Sequence, residues 1–267
     1  MMSDISSVED MFKLFTDRTF KGYAFILPSV SVGNVGQLAM DLVLSSLTAV
    51  KIGYVLHPAI LPVVGSDPYD LESSSLMISC EIFVVEDKKL ILMQIRSPLI
   101  KTFRNDFLLK LLKWIQKMEL SPVFILTSSH EYERNDEQIR GTPLRFLMTA
   151  DLFSKHEETI AKLGWKELEK RGCPDLTSQE NHPEEAYIPG GGFAKLLFDT
   201  CAFQKISSAV LLKFCSEGDN IPDAVLLANY LNDLIRLVPE GTSSVDRWHF
   251  PPSWKHLFGN APDRELY

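Results

Sequence analysis

The sequence predicts a single α/β domain in which helices flank a central, mostly parallel β-sheet. The first observation is a short apolar run at residues 23–27, which is typical of a strand covered on both faces. The second is the turn that follows, which contains Gly33 and Gly36 and leads into apolar residues repeated at helical spacing over 38–47. The third is a further apolar run at 51–56. Strand, helix and strand in this order predict a βαβ unit, the building block of parallel sheets.

The rest of the chain alternates between the same two patterns. Residues 76–85 and 90–96 predict a β-hairpin insertion, with one alternating face exposed or at a sheet edge. Period and length predict helices over 103–118, 152–163, 193–201 and 221–238, and strands over 123–128, 145–148 and 206–214. Asp151 and Asn220 stand where helix N-caps are expected.

The length of the chain sets its domain organisation. With 267 residues it can bury one large core, and no internal repeat or long linker forces a second domain. We expect residues 1–20 to be a peripheral N-terminal segment, residues 21–258 to form the α/β domain, and residues 259–267 to be a flexible C-terminal tail.

Composition and charge argue against several classes of function. Hydrophobic residues make up 45% of the chain and charged residues 23%, as in ordinary soluble globular proteins. The formal net charge of −8 argues against a general nucleic-acid-binding surface, which must neutralise phosphates. No run approaches the ~18 apolar residues that predict a membrane span. We therefore expect neither nucleic acid nor a membrane as a partner.

The N-terminus and the cysteines predict a reducing compartment. Asp4, Glu9 and Asp10 interrupt the region where a signal peptide requires apolar residues. The four cysteines form no CxxC pair and are too sparse for a disulfide framework: Cys80, Cys173, Cys201 and Cys215. Three of them lie in apolar surroundings and are expected to be small core residues. The expected location is the cytosol, the nucleus or both.

The turn after the first strand is the first candidate for a cofactor site. A dinucleotide fingerprint needs glycine at three positions, which here hold Ser31, Gly33 and Gly36. The acidic residue expected about 20 positions further on is missing, since Leu56 and His57 stand there. These departures favour a packing role for the two glycines, and no cofactor is predicted.

The catalytic candidates are few. Gly190–Gly192 before a helix could form an anion nest, but a flexible lead-in explains the glycines equally well and is the favoured interpretation. Ser128, Ser129 and His130 follow a strand, yet no third orienting group and no G-x-S-x-G elbow accompany them. No catalytic residue is therefore predicted.

Acidic and histidine side chains are the remaining candidates for acid–base or metal-binding groups. Glu217, Asp219 and Asp223 lie together around a helix start, where capping needs the same residue types and is the favoured role. The six histidines are scattered and form no HExxH motif, so no metal site is predicted.

Five segments, taken together and in order, resemble the proteasome assembly chaperone 2 family. They are LPSVSVGNVGQLAMDL (27–42), SSHEYERNDEQIRGTPLRFL (128–147), IPGGGFAKLLFD (188–199), LLKFCSEGDNIPDA (211–224) and PPSWKHLFG (251–259). The resemblance implies a non-enzymatic fold like that of nucleoside phosphorylases and related hydrolases. It also implies a heterodimer with proteasome assembly chaperone 1 that contacts proteasome α subunits, promotes formation of the 20S α-ring and prevents off-pathway α-ring dimers.

The resemblance also draws attention to the C-terminal tail. Chaperones of this group can dock a C-terminal hydrophobic–Tyr–X motif between α subunits, and this chain ends in Leu266 and Tyr267, without the final residue. An aromatic anchor and a terminal carboxylate suit a basic pocket. Leu266 and Tyr267 are therefore the candidate partner-binding residues, with a disordered tail end as the alternative.

Two other functions stay open at this point, because a fold does not fix a function. A phosphorylase- or hydrolase-like enzyme would require Ser129, His130 and either Glu217 or Asp219 to converge in one pocket. A cofactor-binding regulator would require room for a pyrophosphate above the Gly33–Gly36 turn.

Overall fold

The computed structural model describes residues 8–139, 141–171, 185–239 and 247–256. The strands of this part are β1 (Phe12–Leu14), β2 (Ala24–Pro28), β3 (Val50–Val55), β4 (Val64–Ser66), β5 (Leu76–Ile78), β6 (Cys80–Val85), β7 (Leu90–Ile95), β8 (Val123–His130), β9 (Leu144–Met148), β10 (Lys170–Arg171), β11 (Glu185–Ala186) and β12 (Ser208–Cys215). The helices are α1 (Val8–Met11), α2 (Val35–Ser46), α3 (Lys101–Lys117), α4 (Asp136–Ile139), α5 (Ala150–Leu163), α6 (Ala194–Phe203) and α7 (Ile221–Ile235). None of these helices is long and apolar enough to cross a membrane.

Eight strands form one sheet in the order β1-β3-β6-β7-β2-β8-β12-β9. The four adjacent strands β7, β2, β8 and β12 are parallel, and the strands on either side of them pair antiparallel. Helices α3 and α6 pack over one hydrophobic core, and α2, α5 and α7 pack over the other. Because β3 points the same way as the four central strands, five of these eight strands share one direction. The predicted α/β class is confirmed.

The predicted βαβ unit is present, but its two strands are not neighbours in the sheet. The strand after α2 is β3, but β3 lies three positions from β2 and pairs antiparallel with β6. The β6–β7 hairpin occupies the two positions between them. Hydrophobic periodicity identifies strands but does not determine which strands pair, so the sequence could not exclude this arrangement.

The predicted hairpin is confirmed, but the prediction that one of its faces is exposed or at a sheet edge is wrong. β6 and β7 pair antiparallel, and every residue of both strands is buried. The polar residue that suggested exposure, Glu81, is itself buried and accepts hydrogen bonds from the Lys51 ammonium and the Ile78 amide. Residues 76–78 form the separate strand β5, which pairs with β4. The hairpin therefore lies inside the main sheet.

The described part of the N-terminal segment packs against the sheet. β1 pairs with β3 at the sheet edge, and Met11, Phe12 and Phe20 are buried. Phe12 stacks on Trp114 of α3 with ring centroids 4.4 Å apart. Residues 8–20 are thus held by the core and are peripheral only in the sense of lying at an edge. The boundaries at residues 20 and 258 stay predictions, and residues 259–267 lie outside the described part.

The two predicted N-caps make other contacts. Asn220 directly precedes α7, but its side chain donates to the carbonyl oxygen of Gly218 and does not cap the helix. Asp151 lies within the first turn of α5, and its carboxylate accepts from the Ser207 hydroxyl. Both residues therefore tie a helix start to the neighbouring loop or strand.

Candidate protein-docking surfaces at the carboxyl edge of the sheet

The carboxyl ends of β2, β8 and β12 meet at one edge of the sheet, the usual position of binding sites in α/β proteins. Residues 29–36 follow β2, residues 127–130 end β8, and residues 215–223 end and follow β12. Residues 188–193, before α6, hydrogen-bond to the first two of these segments. The described residues that the sequence singled out for a cofactor, an anion or catalysis all lie in these four segments.

The turn after β2 is closed by packing. Gly33 has a φ of +63°, and a Cβ there would lie 2.5 Å from the side-chain nitrogen of Asn220. A Cβ on Gly36 would lie 2.6 Å from the carbonyl oxygen of Leu126 in β8. Only glycine allows α2 to approach the sheet this closely. The predicted packing role of both glycines is confirmed, and the Asn220 side chain lies directly against Gly33.

The glycine loop before α6 is also packed, so its interpretation as a flexible lead-in is wrong. A Cβ on Gly190 would lie 2.5 Å from Cγ2 of Val32, and one on Gly192 would lie 2.3 Å from the carbonyl oxygen of Val30. Gly190 and Gly192 both have positive φ, +71° and +66°. The loop therefore needs glycine in order to lie directly on the segment that follows β2.

Ser29 joins these two loops. Its hydroxyl donates to the carbonyl oxygen of Gly191 at 2.9 Å and accepts from the amide of Phe193 at 2.8 Å. The Phe193 amide, which an anion nest would use, is thus already bonded. The other hydroxyls of this edge also bond within the protein: Ser31, Thr127, Ser128 and Ser129. We call the region formed by residues 29–36, 127–129 and 188–193 the closed centre.

The catalytic candidates do not form a nucleophile–base pair. Ser129 is buried, and its hydroxyl donates to the carbonyl oxygen of Pro189 at 2.6 Å. His130 stacks on Tyr132 with ring centroids 4.6 Å apart. Because the serine proton is directed to a backbone carbonyl, His130 is not placed to remove it.

The three nearby carboxylates have separate environments. Asp223 pairs with the buried Lys213 at 2.6 Å, and Asp219 accepts from the amide of Ile221 at the start of α7. Glu217 is exposed and lines a cleft further out. The predicted helix-start role thus fits Asp219 best. Among the described residues, no three His, Cys, Asp or Glu side chains are grouped to hold a metal ion.

An acidic cleft of about 660 Å³ opens beside the closed centre, between the ends of β8 and β12. Its lining residues are His130, Glu131, Tyr132, Arg134, Ile139, Cys215, Ser216 and Glu217. Tyr132 and Ile139 are 77% and 60% exposed. The cleft therefore offers both apolar and acidic surface to solvent.

Hydrogen bonds favour the ionised form of Glu131, which lines the cleft. The Glu131 carboxylate accepts from the Ser216 hydroxyl at 2.7 Å and pairs with Arg134 at 3.1 Å. The hydrogen bond from Ser216, followed by the charge of Arg134, lowers the pKa of Glu131. Burial raises the pKa of the Cys215 thiol to about 11, so this thiol is protonated at neutral pH and is a poor nucleophile.

An apolar groove of about 470 Å³ lies at the other end of the same edge, beside β3 and β5. Its lining residues are Val55, Leu56, His57, Pro58, Ile60, Pro62, Val63, Val64, Ile78 and Ser79. Leu56, Val63 and Val64 are 52%, 50% and 65% exposed. β3 and β12 are five strand positions apart, or about 24 Å at a strand spacing of ~4.8 Å. Exposed apolar surface of this kind is typical of protein interaction sites.

Two buried serines hold the outer wall of the groove. The Ser79 hydroxyl oxygen accepts from the amide of Val63 at 2.6 Å, and the Ser97 hydroxyl oxygen accepts from the amide of Leu61 at 3.1 Å. Both serines are buried. The chain segment that carries the exposed apolar residues is therefore fixed to the main sheet, so a partner would meet a preformed surface.

His57 holds the inner wall. Its Nδ1 accepts from the amide of Ala59 at 3.1 Å, so Nε2 carries the proton and donates to Asp106 at 2.9 Å. Burial is the main cause that lowers the pKa of His57, which favours the neutral ring that this geometry requires. The neutral imidazole thus fixes the turn at the base of the groove.

The sequence did not predict this groove. The Pro, Gly, Asp and Ser content of residues 58–75 predicts a loop. Leu61, Val63 and Val64 are apolar residues inside that loop, and this was the available signal. The candidate residues Leu266 and Tyr267 lie outside the described residues.

The fold and the contacts at the carboxyl edge of the sheet define a class of protein. It is an α/β protein whose usual binding-site position is closed by its own loops and whose exposed surfaces suit contacts with other proteins. Comparison with known families is consistent with this class. The model of the PAC2 family matches residues 25–239, and the chain belongs to this family. Proteasome assembly chaperone 2 from Homo sapiens is 42% identical over 254 residues, 92% of this chain and 95% of the relative. The Danio rerio protein of the same name is 41% identical over 247 residues, covering 91% and 94%.

Solved structures share the fold at much lower identity. PbaA from Pyrococcus furiosus, an archaeal homolog of proteasome-assembly chaperone, has a TM-score of 0.61 and 18% identity, covering 88% of this chain and 90% of that chain. PbaB from the same organism, an archaeal proteasome activator, has a TM-score of 0.58 and 15% identity, covering 88% and 93%. At these identities the likeness shows the fold alone.

Proposed function

We propose that this chain is a chaperone for assembly of the 20S proteasome and acts in the cytosol and nucleus. It forms a heterodimer with proteasome assembly chaperone 1, the sister chaperone, binds proteasome α subunits, promotes formation of the α-ring and prevents off-pathway α-ring dimers. The observation that carries this proposal is the 41–42% identity to proteins named proteasome assembly chaperone 2 over more than nine-tenths of both chains.

The closed centre supports a non-enzymatic role. A phosphorylase- or hydrolase-like enzyme would need a reactive group and substrate space at this edge. The Ser129 hydroxyl is instead committed to Pro189, and the space over Gly33 is taken by Asn220. These contacts favour a scaffold that acts through its outer surfaces.

We assign the apolar groove to the sister chaperone. Interfaces of permanent partners are more hydrophobic than those of partners that separate. A chaperone must release its client but can keep its sister subunit, so the more apolar surface suits the sister. The fixed wall formed by Ser79 and Ser97 also limits the entropy lost on docking.

Identification of the bound partners tests the proposal. The tagged chain is purified from its own cells under gentle conditions, and the bound proteins are identified by mass spectrometry. We expect the sister chaperone and one or more α subunits to co-purify in near-equal amounts. Repeated purifications that contain neither would contradict the proposal.

The tail is a separate part of the proposal. Leu266 and Tyr267 would dock between α subunits through an aromatic anchor and the terminal carboxylate. Deleting both residues is expected to weaken binding to the α-ring while the heterodimer stays intact. The dissociation constant of the truncated heterodimer for α-rings is the measurement, and an unchanged value would reject tail docking without affecting the rest of the proposal.

A further inference from the structure

The acidic cleft has no part in the contacts proposed so far. Its rim carries the exposed apolar side chains of Tyr132 and Ile139, and its lining includes Glu131 and Glu217. Apolar rim and acidic lining occur together in one concave surface of about 660 Å³, which is large enough to take side chains of another protein.

Among the residues that the structure describes, the one Arg or Lys that lines the cleft is Arg134, and it is turned away from solvent. Its Nε donates to the carbonyl oxygen of Gln138 at 3.0 Å, and its Nη1 pairs with Glu131. Its guanidinium carbon lies 5.9 Å from the centre of the Phe214 ring, and its side chain is only 9% exposed. Arg134 therefore does not neutralise the exposed Glu217, and an incoming group would meet negative charge.

Tyr132 provides a flat platform beside this charge. One face of its ring stacks on His130 at an interplanar angle of 22°. The side chain is nevertheless 77% exposed, so the other face meets solvent. An open aromatic face next to a carboxylate attracts guanidinium and ammonium groups, Arg most of all.

We propose that the acidic cleft binds an arginine- or lysine-bearing segment of a partner protein. The cation lies over Tyr132 beside Glu217, and an apolar neighbour in the segment packs against Ile139. Charge complementarity identifies this occupant, because the lining is acidic, its own arginine is sequestered and the whole chain carries a net charge of −8. The proposal goes beyond the proposed function, since it does not depend on the partner being a proteasome subunit.

A short fluorescein-labelled peptide of alternating arginine and leucine is the test ligand, and its affinity for the full chain is measured by fluorescence anisotropy. Tyr132→Ala is expected to weaken binding about fivefold through loss of the cation–π contact. Glu217→Lys is expected to weaken it about tenfold or more, because a like charge replaces an attractive one. Circular dichroism confirms that each variant is folded, which both exposed positions should permit.

Matched controls separate a site from general attraction between opposite charges. Glu158→Lys changes the same charge on the exposed side of α5, and Phe203→Ala removes an aromatic ring that is 83% exposed at the other edge of the sheet. Neither control should change the affinity more than twofold. The proposal is overturned if the controls weaken binding as much as the cleft variants do, if the cleft variants bind like the unmodified chain, or if a glutamate-for-arginine peptide binds equally well.

Discussion

The centre and the two ends of the carboxyl edge differ although one main sheet carries all three. In the centre, glycines and serines bring the loops after β2 and before α6 into direct contact, and every described hydroxyl bonds within the protein. At the ends, the apolar groove and the acidic cleft leave Leu56, Val64 and Tyr132 more than half exposed. The usual binding-site position of this sheet is therefore filled by contacts within the protein. The exposed apolar surface lies on either side of that position.

The largest expected effect comes from opening the closed centre. Gly36→Val would place side-chain atoms against the Leu126 carbonyl, where even a Cβ lies at 2.6 Å. We expect the free energy of unfolding to fall by about 3 kcal/mol or more. Chemical denaturation measures this loss.

Two further variants sharpen the interpretation of Gly36. Gly65→Val in β4 is the control, because a Cβ there meets nothing within 4 Å. Gly36→Ala shows which of two opposing effects on the free energy of unfolding is larger. Alanine stabilises a helix by about 1 kcal/mol relative to glycine, but its Cβ would clash with β8. A Gly36→Ala protein more stable than the unmodified chain would show that the centre is not tightly closed.

The second prediction concerns the apolar groove. Leu56→Asp combined with Val64→Asp should weaken the heterodimer about 100-fold, because two charges replace apolar contacts at the proposed interface. The control is Leu109→Asp combined with Leu226→Asp, which changes exposed leucines on α3 and α7. Surface plasmon resonance against the sister chaperone gives both affinities. If the groove variant and the control variant bind the sister chaperone with equal affinity, the interface lies elsewhere.

The third prediction tests the hydrogen bonds of the closed centre. Ser29→Ala leaves the Phe193 amide without its partner and removes one donor from the Gly191 carbonyl. We expect a loss of about 2 kcal/mol in the free energy of unfolding. Ser154→Ala on α5, where the hydroxyl is exposed, should cost less than about 0.5 kcal/mol. Similar costs for the two variants would mean that Ser29 does not hold the loops together.

The smallest expected effect is the pH dependence of the groove wall. The folded pKa of His57 is lowered, mainly by burial, so the unfolded chain binds this proton more readily. The stabilisation of the fold by neutral His57 is complete above the pKa of this histidine in the unfolded chain, about 6.5. It is lost as the pH falls from there towards the lower pKa of His57 in the folded chain. Once His57 is protonated, its Nδ1 can no longer accept a hydrogen bond from the Ala59 amide. The protection of the Ala59 amide against hydrogen exchange should therefore fall as the pH falls.

Variants at two histidines separate this effect from general acid sensitivity. His57→Gln should remove the pH dependence of Ala59 protection, whereas His156→Gln should leave it unchanged although burial also lowers the pKa of His156. Hydrogen exchange across mildly acidic pH provides the measurement. Protection of Ala59 that does not depend on pH would refute the role of His57.

Much of the fold could be predicted from the sequence because local periodicity determines it. The apolar runs that became β2, β8 and β12, and the helical repeats that became α2, α3 and α7, were all identified. Their pairing was not, because β3 joins β6 through contacts between residues far apart in sequence. The burial of Glu81 was also beyond reach, because its partner Lys51 lies 30 positions away in the sequence, on β3.

The site was predictable only in part, for a related reason. Gly33, Gly36 and Ser129 indicated the carboxyl edge because turns between strands and helices need such residues. Whether the edge is open or closed depends on the Asn220 side chain and the Pro189 carbonyl, which come from distant segments. The groove could not be predicted, because exposure is a tertiary property and Val64, although apolar within a predicted loop, does not by itself reveal an exposed surface.

Hydrogen exchange of the chain, free and in the complex purified from cells, tests the central claim most directly. We predict new protection at residues 55–64 and 76–79, where the partner covers the groove, and no change at residues 29–36 and 188–193, which the closed centre already protects. New protection confined to the closed centre, with residues 55–64 exchanging as in the free chain, would contradict the account.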